Sequence, residues 1–208
     1  MIKKLFAQLA VIGVASLALL GLGAVASLLS GNPELGGAEV VQVADSASAL
    51  ATAEGALAST QLELDRAHQI LEFSSRYRIP ADMAAQIYDH AVNEGIPPAL
   101  GFQLVKVESG FTNSARSYAA AIGLTQLMLP TARAYEPTVS PADLMNPDVN
   151  LRIGFRYLKD LLKQFDNDLA LALEAYNKGP TLVNAQMQSG MIVKGKYSRA
   201  VMGGMRRG

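Results

Sequence analysis

Hydrophobic residues are distributed very unevenly along this 208-residue chain. After Lys3 and Lys4, the segment from Leu5 to Ser30 carries no charged side chain and has no polar face. A cleaved export signal has about 7–15 apolar residues and a membrane-spanning helix about 20. The run is long enough to span, while Ala24-Val25-Ala26 matches the small-x-small pattern of a cleavage site. Residues 1–30 are therefore predicted to be a signal peptide or a transmembrane anchor, and both interpretations stay open.

Either interpretation predicts that the remainder of the chain is exported. Positive residues at the start of an apolar segment favour a cytoplasmic N-terminus. If the segment is retained, residues 5–30 anchor the protein in the inner membrane; if it is cleaved, the protein lies free in the periplasm or cell envelope. Residues 31–56 contain mostly Gly, Ala, Ser and small polar residues and few large apolar ones. Such a segment is predicted to be a flexible linker.

A helical pattern begins near Leu57, and residues 57–78 are predicted to form a leading helix that ends before Pro80. Leu57, Leu64 and Leu71 recur at intervals of seven. This spacing is compatible with a short coiled coil or with a helix that packs on the following domain. The second interpretation is favoured because two heptads are too few for a stable coiled coil.

Residues 79–208 are punctuated as a set of short helices. Ala81–Glu94 has an apolar stripe, which includes Met83, Ile87, Ala91 and Val92, and Gly95 ends it. Four further signals mark helix boundaries: Pro97-Pro98 with Gly110, Asn146-Pro147, Asp168, and Gly179-Pro180. Because no alternating strand pattern appears, the fold class is predicted to be all-α.

Composition excludes several kinds of function. The 18 Lys and Arg residues balance 18 Asp and Glu residues, which argues against a nucleic-acid partner. The chain has no Cys, so disulfides, thiolate metal sites, thiol nucleophiles and cysteine-linked lipids are excluded. Only two histidines are present, His68 and His90, and they are too few for a multi-histidine metal site.

One acidic residue lies on an apolar helix face. On a helix of 100° per residue that starts at Leu100, Leu104 falls near 40° and Glu108 near 80°. A carboxylate in an apolar stripe is costly unless it is paired or protonated. Two interpretations follow: the helix frays or Glu108 pairs with an arginine, or Glu108 is desolvated, with a raised pKa that suits a general acid.

The residues around Glu108 resemble a known family. The first half of the resemblance consists of Glu108-Ser109-Gly110-Phe111, Ser117, Ala121–Met128 and Thr131-Ala132; the second consists of Asn150, Gly154, Tyr157-Leu158 and Ala175–Pro180. In order and separation, they resemble the soluble-lytic-transglycosylase (SLT) domain over roughly residues 79–200, but not over residues 1–57. Thr125 departs from the pattern, because the family frequently has Met at that position.

The resemblance implies a goose-lysozyme-like helical fold and the cleavage of peptidoglycan glycan strands. The bond cleaved is the β-1,4 link from N-acetylmuramic acid (MurNAc) to N-acetylglucosamine, and the product carries a 1,6-anhydro-MurNAc end. Glu108 takes the position of the catalytic residue, which acts first as a general acid and then as a general base. The substrate's own N-acetyl group replaces the second carboxylate, so neither a cofactor nor a metal is required.

The resemblance also assigns residues that bind the substrate or support Glu108. Ser117 is expected to hydrogen bond to Glu108 or to the N-acetyl group, with a helix-capping role as the alternative. Gln126 and Met128 belong to the cleft wall, and Tyr176 and Asn177 match the family's Tyr-Asn pair. Tyr176 is expected to orient Glu108 through its hydroxyl, with an aromatic core residue whose hydroxyl is bonded elsewhere as the alternative.

Two other functions remain open from the sequence alone. A muramidase of the same fold would use water and a second carboxylate, for which Asp143, Asp148 and Glu174 are candidates. A weakly active glycan-binding or scaffold component of an envelope machine would need a partner that the sequence does not identify.

Overall fold

The computed structural model describes residues 37–191, 193 and 195–205, so the segment 1–30 lies outside the described residues. Two compact units divide the chain, Met1–Glu63 and Leu64–Gly208. Within the described residues the secondary structure is helical, apart from isolated bridge pairs of Arg116 with Ile122 and Ile122 with Leu127. The prediction of an all-α fold is confirmed.

The helices, in chain order, are α1 (Gly37–Tyr77), α2 (Ala81–Glu94), α3 (Pro98–Ser109), α4 (Leu129–Tyr135), α5 (Pro147–Gln164), α6 (Leu169–Lys178), α7 (Pro180–Gln188) and α8 (Lys196–Met205). A 3-10 turn, Asp143–Met145, precedes α5. Among these helices, none that the structure describes has both the length and the apolar character needed to cross a membrane.

Helix α1 begins well before the predicted start at Leu57. Residues 37–56 were predicted to belong to a flexible linker, and in the structure they are helical. The segment is rich in alanine and contains no proline, so its intrinsic helix propensity is high although it has few side chains to bury. The side chains described between residues 45 and 63 are indeed exposed.

The C-terminal part of α1 packs on the helical domain, as predicted, but not through the heptad leucines. Leu57, Leu64 and Leu71 are 71%, 62% and 61% exposed. Ile70 and Phe73 are buried instead, and the Phe73 ring stacks on Phe102 of α3 with the centroids 4.2 Å apart. A seven-residue period predicts that residues share one face, but it does not say which face meets the domain.

The predicted helix boundaries are confirmed from α2 onward. Gly95 and Gly110 end α2 and α3 in the left-handed conformation, with φ of 73° and 57°. The side chain of Asn146 accepts a hydrogen bond from the Asp148 amide at 2.9 Å and caps α5. Asp168 caps α6 by accepting from the amides of Ala170 and Leu171. On the predicted stripe of α2, Val92 is the exception, because it is 49% exposed.

Helix α5 contributes to three hydrophobic clusters and thereby positions the site. Phe155 packs into the main core with buried residues of α1, α2, α3, α6 and α8. Ile153 faces a second cluster with Ile122, Leu127 and Leu144, and Leu161 faces a third with Val183. The end of α3, the segment between α3 and α4, and helices α6 and α8 are thus packed around one scaffold.

Candidate active site

Glu108 lies in the last turn of α3 and is partly buried. Burial raises the pKa of its carboxyl from an ordinary 4.5 to about 7, and a hydrogen bond from Tyr197 offsets only part of this effect. Of the two interpretations that the helical angle left open, the structure agrees with the desolvated carboxyl. Helix α3 does not fray before Ser109, and the carboxylate accepts its hydrogen bond from a tyrosine rather than from an arginine.

Tyr197, near the start of α8, is the residue that the sequence analysis missed. Its hydroxyl donates to Oε1 of Glu108. Burial and then the charge of Glu108 hold the pKa of Tyr197 far above its ordinary value, so the hydroxyl remains a donor. In the sequence, Tyr197 is followed four residues later by Val201, which is buried in the structure. This spacing predicts that Tyr197 packs in the core, but it does not identify a hydrogen-bond partner for the hydroxyl.

Of the two alternatives for Tyr176, the structure matches the core residue whose hydroxyl is bonded elsewhere. Its hydroxyl donates instead to the backbone carbonyl of Thr125 at 2.9 Å. Burial, followed by the nearby charge of Glu108, raises the pKa of Tyr176 well above its ordinary value. The charge of the Glu108 carboxylate therefore acts on Tyr176. The hydroxyl of Tyr176 is hydrogen bonded to the segment between α3 and α4.

Asn150 of α5 fixes that segment from the other side. Its Oδ1 accepts from the amide and the hydroxyl of Thr125 at 2.8 and 2.7 Å. Its Nδ2 donates to the carbonyls of Ile122 and Leu144 at 2.8 and 3.0 Å. Gly123 has φ of 78°, and a Cβ there would lie 2.3 Å from Asn150 Nδ2, so only glycine fits this approach.

Gln126 and Ser117 have local partners in the same segment. Gln126, at φ of 49°, donates from Nε2 to the carbonyls of Gly123 and Ala115. The hydroxyl of the exposed Ser117 accepts from the Ala121 amide at 3.0 Å, which closes a turn. The described contact of Ser117 thus resembles the capping alternative, although it closes a loop turn and not a helix.

A cavity of about 250 Å³ joins four of the predicted site residues. It is lined by Gln126, Leu127, Met128, Thr131, Tyr157, Tyr176, Asn177, Lys178 and Gly179. Met128 is 40% exposed and gives the wall an apolar surface. The Tyr157 and Tyr176 rings lie 5.1 Å apart, and Tyr176 links the cavity to the surroundings of Glu108.

The three candidate second carboxylates have structural partners. Glu174 is fully buried and pairs with Lys178 at 2.7 Å. Oδ1 of Asp148 lies 3.1 Å from Nε2 of His90. Asp143 accepts from the hydroxyl and amide of Ser140, and these bonds hold its pKa below the ordinary value. His68 is exposed, and the described part of the chain contains no group of three residues suited to hold a metal.

Several known proteins are similar to part of this sequence. The soluble lytic murein transglycosylase of Escherichia coli strain K12 is 32% identical over 91 residues, which cover 41% of this chain and 14% of that protein. The soluble lytic murein transglycosylase of Salmonella typhimurium is 28% identical over 124 residues, which cover 49% of this chain and 19% of that protein. The chain thus spans less than a fifth of these curated relatives.

Solved structures support the same fold. An inactive mutant of the lytic transglycosylase Slt from Pseudomonas aeruginosa matches with a TM-score of 0.52 and 30% identity, over 58% of this chain and 23% of that one. The 70 kDa soluble lytic transglycosylase from Escherichia coli matches with a TM-score of 0.53 and 24% identity, over 64% and 24%. This likeness confirms the lysozyme-like helical fold expected from the sequence.

The model of the transglycosylase SLT domain matches residues 86–197, which include Glu108, the cavity and Tyr197. The match covers more than half of the chain. The chain therefore belongs to the transglycosylase SLT domain family.

Proposed function

We propose that this protein is a peptidoglycan lytic transglycosylase that cleaves the MurNAc–N-acetylglucosamine β-1,4 bond and leaves 1,6-anhydro-MurNAc ends. One observation carries the proposal: burial raises the pKa of Glu108 to about 7, and its charge acts on Tyr176, which lines a cavity with aromatic and amide side chains. A carboxyl group with such a pKa is protonated in a useful fraction of molecules near neutral pH and can also ionise there.

The chemistry uses Glu108 twice. The protonated carboxyl gives its proton to the glycosidic oxygen as the bond to the MurNAc anomeric carbon breaks. The resulting carboxylate then takes the proton of the MurNAc C6 hydroxyl, whose oxygen bonds to the same carbon, so Glu108 regains its proton. Tyr197 stabilises the carboxylate between the two steps by donating to Oε1.

The substrate's N-acetyl group supports the positive charge at the anomeric carbon in this proposal. The three candidates for a second carboxylate, Asp143, Asp148 and Glu174, each contact a neighbouring side chain of the protein. These contacts favour a mechanism that uses one carboxylate. Gln126 and Asn177 would bind polar groups of the sugars, and Met128 would contact their apolar faces. Ser117 would reach the N-acetyl group from the exposed turn.

Product analysis tests the proposal against its alternatives. Digestion of purified sacculi, followed by mass spectrometry of the soluble muropeptides, is expected to show 1,6-anhydro ends. Hydrated reducing ends would instead identify a muramidase and overturn the transglycosylase mechanism. Binding of sacculi without soluble products would indicate a glycan-binding or scaffold component.

The rate of cleavage is expected to depend on pH through Glu108. Because the general acid must carry a proton, kcat/KM should fall above about pH 7, approaching tenfold per pH unit. Tyr197→Phe removes the hydrogen bond that lowers the pKa of Glu108, so the descending limb should move to higher pH. A profile that is flat up to pH 9 in the parent protein would contradict the role of Glu108.

We also place the protein in the cell envelope, where peptidoglycan is found. The apolar segment 5–30 would anchor it to the inner membrane if uncleaved, and partner proteins of an envelope machine remain a proposal. Mass spectrometry of the protein isolated from expressing cells tests this: an intact N-terminus indicates a retained anchor, and a start after Ala26 indicates a cleaved signal.

A further inference from the structure

Glu174 is a fully buried carboxylate that the proposed reaction does not use. It lies on α6, two residues before Tyr176. Its Oε1 accepts from two backbone amides, those of Gly195 and Ser198, both at 2.9 Å. Its Oε2 lies 2.7 Å from the ammonium group of Lys178, one turn further along the same helix. Oε1 is therefore hydrogen bonded twice, and Oε2 has an ion-pair partner but meets no donor in hydrogen-bond geometry, in a side chain that is buried from water.

The two amides that bind Glu174 belong to the N-terminal turn of α8. Helix α8 begins at Lys196, so Gly195 precedes it and Ser198 lies in its first turn. Amides at this end of a helix have no acceptor within their own helix, and the helix dipole favours a negative charge there. Glu174 supplies both the acceptor and the charge from a different helix.

Tyr197 lies between these two amides in the chain. The backbone on either side of it is fastened to Glu174, and its hydroxyl donates to Glu108. The charge of Glu174 is secured by its partners: burial would raise its pKa, but Lys178 and Ser198 outweigh burial and leave the pKa below the ordinary value. The charges of Glu108, Tyr176 and Glu174 all raise the pKa of the Tyr197 hydroxyl.

We propose that Glu174, paired with Lys178, is a positioning residue that fixes the start of α8 so that the Tyr197 hydroxyl meets Glu108. This inference rests on the proposed function of Glu108. Glu174 touches neither the substrate nor the reacting atoms in this role, and it acts through Tyr197.

Gly195 offers a probe of this contact that leaves all charges in place. A Cβ at Gly195 would lie 2.6 Å from Oε2 and 2.7 Å from Oε1 of Glu174, so the carboxylate and the amide must separate. Gly55→Ala is the matched control, because a Cβ there meets no atom within 4 Å.

Gly195→Ala is expected to lower kcat on purified glycan strands by about 10- to 100-fold, since a displacement of about 1 Å can cost 10²-fold. Gly55→Ala should keep the parent rate. The descending limb of the pH profile should also move upward in Gly195→Ala, as in Tyr197→Phe, because both weaken the hydrogen bond to Glu108. A purely structural role of Glu174 would lower the amount of folded protein without moving this limb.

A double-mutant cycle with Tyr197→Phe decides whether Glu174 acts through Tyr197. In the Tyr197→Phe background, Gly195→Ala should change kcat by less than about twofold. A full effect in that background, or no effect in the parent, overturns the inference. If Gly195→Ala does not fold, as judged by circular dichroism, Glu174→Gln replaces it in the same cycle, because the amide keeps the shape and removes the charge that pairs with Lys178.

The cycle separates failure of this inference from failure of the proposed function. If Glu108→Gln retains cleavage, the proposed function fails. If Glu108→Gln is inactive and the cycle is additive, only the positioning role of Glu174 fails.

Discussion

Replacement of Glu108 by Gln is expected to lower the rate of glycan cleavage by a factor on the order of 10⁴, the upper range for loss of a positioned acid or base. The amide keeps the shape of the side chain but can neither give nor take the required proton. Because Glu108 serves in both steps of the proposed reaction, no second group compensates. Binding of glycan strands should persist, since the cavity residues are unchanged.

The same substitution should raise stability at high pH. The pKa of Glu108 is about 7 in the folded protein and near 4.5 in the unfolded chain. The unfolded chain therefore loses its proton first as pH rises, and the free energy of unfolding decreases between pH 4.5 and pH 7. This loss is about 3 kcal/mol in the parent protein and is absent from Glu108→Gln.

Release of soluble muropeptides measures the first effect, and urea unfolding at pH 4.5 and pH 8 measures the second. Glu136→Gln is a matched control, because Glu136 is a part-buried glutamate bound to Arg152 and lies outside the proposed site. It should retain cleavage. Parent-like cleavage by Glu108→Gln would show that the reaction uses another residue.

Sequence reasoning succeeded where the determining interactions are local. Gly95 and Gly110 end helices because a left-handed residue is required there, and Asn146 and Asp168 cap helices with amides two or three residues away. The partial burial of Glu108 followed from its angle to nearby leucines on the same helix. Each of these features depends on a few consecutive residues.

The errors concern partners far apart in the chain. Tyr197 and Glu108 are 89 residues apart, and no local pattern relates a tyrosine hydroxyl to a distant carboxylate. For Tyr176, two partners were open, and its hydroxyl donates to the Thr125 carbonyl and not to Glu108. Helix α1 packs on the domain as predicted, but the spacing of its leucines does not identify the buried face, which Ile70 and Phe73 form. Side-chain direction in the tertiary fold decided each case.

Asn150→Ala is expected to destabilise the protein by about 3–5 kcal/mol. The side chain binds the amide of Thr125 and the carbonyls of Ile122 and Leu144, all within a fully buried environment. Alanine leaves the Thr125 amide and the Leu144 carbonyl without that partner, whereas the Ile122 carbonyl keeps the Leu127 amide. Each unsatisfied buried polar group costs about 1–3 kcal/mol. For a protein whose total stability is about 5–15 kcal/mol, this loss is a large fraction.

Urea unfolding followed by circular dichroism measures the effect, with Asn146→Ala as the graded control. Asn146 caps α5 through one side-chain hydrogen bond to the Asp148 amide, so its loss should cost about 1 kcal/mol. If the two variants are equally stable, the Asn150 network does not hold the segment. We expect Asn150→Ala to be less stable than Asn146→Ala by about 2 kcal/mol or more. In that case the Asn150 hydrogen bonds hold Thr125, whose carbonyl accepts from Tyr176, so both the stability of the fold and the geometry of the site depend on one side chain.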